Sequence, residues 1–104
     1  MSANAHHCWA VVTTNKRKAN KAIAQILEEQ NAKSIKVIEA YQNKNNAEIC
    51  FEDGNRVIWI WHLDNFKGFR FHRLWCDKDI NQDLLEQVIL PMACYMKYED
   101  IIWI

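Results

Sequence analysis

The chain has 104 residues, half of them hydrophobic, with 13 Lys and Arg against 13 Asp and Glu, and only two glycines and one proline beside five tryptophans. So many aromatic and aliphatic residues exclude a disordered, collagen-like or coiled-coil chain, and the length fits a single domain, residues 1–104, large enough to bury its own core. No apolar run reaches the ~18 residues of a membrane span, and the zero net charge excludes a uniformly basic nucleic-acid binder.

The opening stretch, MSANAHHCWAVV, has neither a positive start nor a long apolar segment, so it does not read as a secretory signal and the expected setting is the cytoplasm. Cys8 to Thr13, CWAVVT, is a short apolar run bounded by the polar TNKRK and reads as a buried strand. Ala19, Ala22, Ile23, Ile26 and Leu27 then recur at helical spacing, with Lys18, Lys21, Gln25 and Glu28 outside that face. Thr14 or Asn15 is the expected cap and Gln30-Asn31 the expected stop. Ser34 to Tyr41 is rich in β-forming residues. After a break at Asn43 to Asn46, Ala47, Ile49 and Phe51 alternate with Glu48, Cys50 and Glu52, the period of a half-buried strand.

Asp53-Gly54 separates that run from RVIWIWHL, which predicts a tight hairpin with Trp59 and Trp61 on one face of the second strand and Ile58 and Ile60 on the other. LDNFKG reads as a loop and FRFHRLWC as a strand ending at Asp77-Lys78-Asp79. Leu84, Leu85, Val88, Ile89, Met92, Ala93 and Met96 keep helical spacing, with Asn81 as cap and a kink or break expected at Pro91. The final IIWI reads as a core strand. The predicted order is β-α-β-β-β-β-α-β: a mixed α/β sheet with a central hairpin and two helices packed on it.

Cys8, Cys50, Cys76 and Cys94 lie far apart among apolar residues, as buried free thiols do. The charge balance is only global. Residues 1–33 and 56–78 each carry five cations against two anions, whereas 34–55 carry two against four and 79–104 one against five. Basic and acidic segments thus alternate, as a solvated surface or as a bipolar surface for a charged partner.

These elements bear on four chemistries. The strand-to-helix turn Thr13-Thr14-Asn15-Lys16-Arg17-Lys18 contains no glycine, so it cannot form the usual phosphate cradle, although its three cations could hold a phosphate loosely. Zinc is not expected, because His72 and Cys76, four apart on a strand, stand ~13 Å from each other, while adjacent His6 and His7 splay. Asp77 and Asp79 at a strand end are weak magnesium candidates and better candidates for capping the helix that follows; His62 and Asp64 end another strand. Lys67, Arg70 and Arg73 interleave with Phe66, Phe69, Phe71 and Trp75, which fits either a stacking platform or ordinary strand alternation.

The run FEDGNRVIWIWHLDN, then GFR, then FHRLWCD, resembles the middle of the phage terminase large-subunit ATPase domain and related P-loop motor ATPases, and AVVTTNKRKANKAIAQIL resembles the strand and helix before it. The resemblance implies that Asp77 matches the family's metal-binding carboxylate. Lys78 stands where the catalytic glutamate belongs, and the glycine-rich phosphate loop is missing. What it implies is a degenerate, trimmed ATPase core from a phage or mobile element, kept as a binding scaffold.

The leading expectation is therefore a non-catalytic, cofactor-free interaction protein that binds a protein or nucleoprotein machine, its sharpest form an inhibitor of a host defence nuclease (anti-CRISPR-like). Trp59, Trp61, Lys67, Arg70 and Arg73 would carry the partner. The alternative is a nucleic-acid-binding accessory protein related to DNA packaging, using Lys16, Arg17 and Lys18 as well. A third is magnesium-dependent phosphotransfer or nuclease chemistry at Asp77 and Asp79. A homodimer through the terminal strand stays open.

Overall fold

The computed structural model describes residues 8–42, 46–61, 70–94 and 96–104. His6, His7, His62, Asp64, Phe66, Lys67 and Phe69, singled out in the sequence, lie outside them. β1 (Cys8–Val12) is followed by α1 (Lys16–Ala32), then β2 (Val37–Gln42), β3 (Asn46–Phe51), β4 (Arg56–Ile60) and β5 (Arg73–Cys76). A composite helix and β6 (Ile102–Trp103) complete the fold. The six strands form one sheet in the order β2-β3-β4-β1-β5-β6. β4, β1, β5 and β6 run parallel, and β3 is antiparallel to both its neighbours. The predicted α/β class and element order hold.

β1 sits at the centre and buries all five of its residues, because both faces are covered. On one face Trp9 and Val11 join Phe51, Val57 and Trp75 under Ala19, Ala22 and Ile26 of α1. On the other, Cys8, Ala10 and Val12 join Ile58, Ile60, Leu74 and Cys76 under Leu85 and Ile89. Strand alternation thus feeds two cores from one sheet. Asn15 caps α1, its side-chain oxygen accepting from the amides of Arg17 (3.0 Å) and Lys18 (3.2 Å). Asn15→Ala is expected to destabilise the protein by about 1 kcal/mol, read as a lower melting temperature. The helix runs past Gln30-Asn31 to Ala32 because Gln30 continues the buried stripe and donates to Asp53 at 3.2 Å. The Asp53-Gly54 turn forms as expected, with Gly54 at φ 91°, a value that only glycine adopts without strain.

Several elements differ from the sequence pattern. The second helix breaks at Pro91 as expected: α2 (Gln82–Leu84) widens to a π turn over Leu85–Ile89, tightens to a 3-10 turn over Leu90–Met92 and stops short of Met96. Pro91 has no N–H to offer and its ring crowds the preceding turn, so the regular ladder cannot pass it. Ala93 then pairs with Phe71 in an isolated bridge, and β5 proper begins only at Arg73. In β3, Glu48 rather than Ala47 or Ile49 is buried, accepting from Arg56 at 2.9 Å. Of the tryptophans, Trp9 and Trp75 are core, Trp59 and Trp61 are half-buried, and Trp103, expected in the core sheet, is 41% exposed on edge strand β6.

Candidate functional site

The carboxyl ends of the parallel strands form one edge of the sheet. The chain leaves β1 toward β4 and leaves β5 toward β6, so the two connections diverge. A crevice opens between those strand ends, where open α/β sheets place ligands. Here it measures about 240 Å³ and is lined by Thr13, Thr14, Asp77, Asp79 and Asn81 among others.

Thr13, Asp77 and Asp79 in its wall belong to a closed polar cluster. The Thr13 hydroxyl donates to Asp77 Oδ2 at 2.6 Å and the Lys18 ammonium donates to Asp77 Oδ1 at 2.7 Å. Lys18 also reaches Asp79 (3.5 Å) and the Ile104 carbonyl (3.3 Å), while the Asp79 amide donates to Asp77 Oδ1 at 2.9 Å. Burial pushes the Asp77 carboxyl up, but the hydrogen bonds from Lys18 and Thr13 outweigh it and hold the group below its ordinary value. The bond to Asp77 raises Lys18 in turn. Asp77 and Asp79 do not cap α2; Asn81 does, accepting from Asp83 and Leu84. Asp77 instead ties β5 to the start of α1. An ammonium already holds the place of a cation at this carboxylate. Among the described residues no three His, Cys, Asp or Glu side chains gather as a metal ligand set.

Beside this crevice, on the α1 side, Trp59 and Trp61 meet edge to face with ring centroids 4.5 Å apart. The Trp59 indole N–H donates to the Thr13 carbonyl at 3.0 Å, which fixes the pair to the end of β1. With Thr14, Lys16 and Gln42 they line a cleft of about 470 Å³. The tryptophans, the basic turn and the two aspartates, read from sequence as three unrelated chemistries, therefore share one edge of the molecule.

No protein family, curated protein or solved structure matches this chain. The site is thus read from its own residues.

Arg73 and Arg70 do not join this edge. Arg73 pairs level with Trp9 at the start of β5, four residues (about 13 Å) of strand before Asp77. Its guanidinium bonds Glu29 at 2.9 and 3.2 Å and lies over the rings of Trp75 (4.5 Å) and Trp9 (5.3 Å). That set of contacts makes Arg73 a clamp between α1 and the sheet rather than a partner contact, and its hydrogen bond holds Glu29 below the usual carboxylate range. Arg70 is exposed near that same end, and Lys67 lies outside the described residues. The buried thiols are poor nucleophiles: burial pushes Cys8 up to about 11 and Cys76 up to about 12, so both stay protonated at neutral pH.

β2 reads in the sequence as a strand but not as a candidate site. All six of its residues are exposed, and it is an outermost strand of the sheet. Val37 (45%), Ile38 (65%) and Tyr41 (51%) stand in water there, with a bulge between Val37 and Glu39. Gln42 at its end carries this strip into the tryptophan cleft. The signal was present as VIEAYQ, a β-forming run with no clean alternation and hence no single face to bury. Among the described residues no helix is long and apolar enough to cross a membrane.

Proposed function

We propose that this chain acts by binding, adding an extended segment of a protein partner, or of the protein part of a nucleoprotein machine, to the outer edge of β2. The observation that carries the reading is the strand itself: six exposed residues, three of them large and apolar, on an outermost strand. Such edges are ordinarily covered or charged because they template pairing, and strand addition is a common mode of peptide capture. Apart from its bulge, β2 carries one charge, Glu39. The engagement of both Asp77 oxygens by Thr13 and Lys18 favours a binding role over metal-dependent catalysis at that carboxylate. The narrowest form of the reading, a phage- or mobile-element-encoded inhibitor of a host defence nuclease, draws only on the terminase resemblance.

Affinity capture from a lysate, run in parallel with wild type and Ile38→Lys and with and without nuclease, tests it. Wild type is expected to retain a partner after nuclease treatment, and the lysine variant to lose at least nine-tenths of it (about 1.4 kcal/mol per tenfold). The variant should melt within about 0.5 kcal/mol of wild type, as exposed substitutions do. Equal retention by both proteins contradicts the edge as the contact. Retention abolished by nuclease contradicts a protein partner.

A further inference from the structure

The cleft of Trp59, Trp61 and Lys16 is separate in chemistry from the apolar strip on β2. We infer that it binds one nucleotide unit, a planar base with its phosphate, presented by a single-stranded nucleic acid or by a free nucleotide. Its volume, about 470 Å³, lies within the range of small-ligand sites (roughly 300–1,000 Å³). Two half-buried indoles, packed edge to face on each other, line it and give it an aromatic wall. Any base has a π-face to stack there, so the recognition tolerates sequence.

The phosphate contact comes from the other wall. α1 begins Lys16-Arg17-Lys18 with no acidic residue in its first turn, which sets three cations against the positive end of the helix dipole. Lys18 is compensated by Asp77 and Asp79. Lys16 and Arg17 are exposed, and among the described residues no carboxylate pairs with either. A local rule broken at the rim of a cleft is what an anion-binding wall requires. Lys16 lines the cleft itself, and Arg17 is the next residue of the same turn. The pairing of exposed cations with an aromatic wall is the chemistry of a phosphorylated planar ligand rather than of an apolar peptide. Thr14 and Gln42 add neutral polar groups that can meet base edges or sugar hydroxyls.

Fluorescence anisotropy of a short labelled oligothymidylate at low ionic strength tests this, with thymidine monophosphate as competitor and a duplex as control. Binding is expected to weaken about tenfold or more in Trp61→Ala and to recover in Trp61→Phe, which keeps a stacking plane. Trp61 lies beyond the last residue of β4, and the melting temperature of each variant checks that the fold persists. Lys16→Ala should lower the slope of log affinity against log salt by about 0.7. Ile38→Lys should leave binding unchanged, so this result and that of the β2 reading fail independently. An oligomer bound more tightly than the monophosphate assigns the ligand to a strand; equal, Trp61-dependent affinity assigns it to the free nucleotide. The inference is overturned by no binding of either probe, by affinity indifferent to Trp61→Ala, or by a duplex bound as tightly as the single strand.

Discussion

Trp75→Ala is expected to cost about 3–5 kcal/mol, a large part of the roughly 5–15 kcal/mol that holds a domain of this kind together. Trp75 is fully buried in β5, packed in the cluster under α1 with Val11, Ala22 and Ile26. Its ring also carries the Arg73 guanidinium at 4.5 Å, and Arg73 in turn holds Glu29 on α1. Deleting the indole thus opens a cavity and loosens the clamp between helix and sheet in one step. Trp75→Phe is expected to cost far less. Among the described residues the buried indole N–H of Trp75 has no hydrogen-bond partner, so a phenyl ring discards an unsatisfied donor while keeping most of the volume. Chemical denaturation of both variants measures the difference. Similar losses for Ala and Phe would mean that shape at this one position, rather than apolar volume, decides the stability.

The second expected result concerns Asp77. Asp77→Ala leaves the Thr13 hydroxyl, in a residue only 2% exposed, without its acceptor, and costs roughly 1–3 kcal/mol. For a domain of this length that lowers the melting temperature by roughly 4–8 °C per kcal/mol. Lys18 would keep only its longer contacts, to Asp79 at 3.5 Å and to the Ile104 carbonyl at 3.3 Å. The effect carries a pH signature. The folded value of Asp77 lies below its ordinary 3.8, so the folded state favours the ionised form. Its contribution is present in full above that ordinary value and disappears as pH falls through the lower, folded one. The stability gap between wild type and Asp77→Asn should therefore be constant at neutral pH and close only in acid. A gap that stays open in strong acid would show that the carboxylate acts by shape alone.

The parts of the fold that were legible in the sequence are those where one local pattern had no competitor. The helical stripe of α1, Asp53-Gly54 between two strand-like runs, and the alternation of Trp59 with Ile58 and Ile60 each specify their geometry alone, whereas the cap was narrowed only to Thr14 or Asn15 and the structure assigns it to Asn15. What could not be read was decided across the chain. The proline marked where the second helix breaks, but no local pattern showed that Ala93 beyond it pairs with Phe71. Glu48 was placed in solvent by alternation and is buried because Arg56 lies on the next strand to receive it. The site was harder still. Asp77 and Lys18 are 59 positions apart and meet only because β5 pairs beside β1. Arg73 reads as a surface cation in any local window, and only the packed structure shows the two indoles beneath it. β2 was recognised as a strand, but its position at the sheet edge, which gives Ile38 and Tyr41 their exposure, follows from the sheet order rather than from its own residues.

That exposed edge is where the proposed function stands or falls. Amide hydrogen exchange across Val37–Gln42, measured on the free protein and on the complex recovered by capture, reads it residue by residue. An added partner strand pairs with the outward-facing groups of β2, so exchange there is expected to slow on binding while Ile102–Trp103 at the far edge stays unchanged. A complex that leaves every β2 amide exchanging at its free rate, with protection appearing elsewhere, would contradict it.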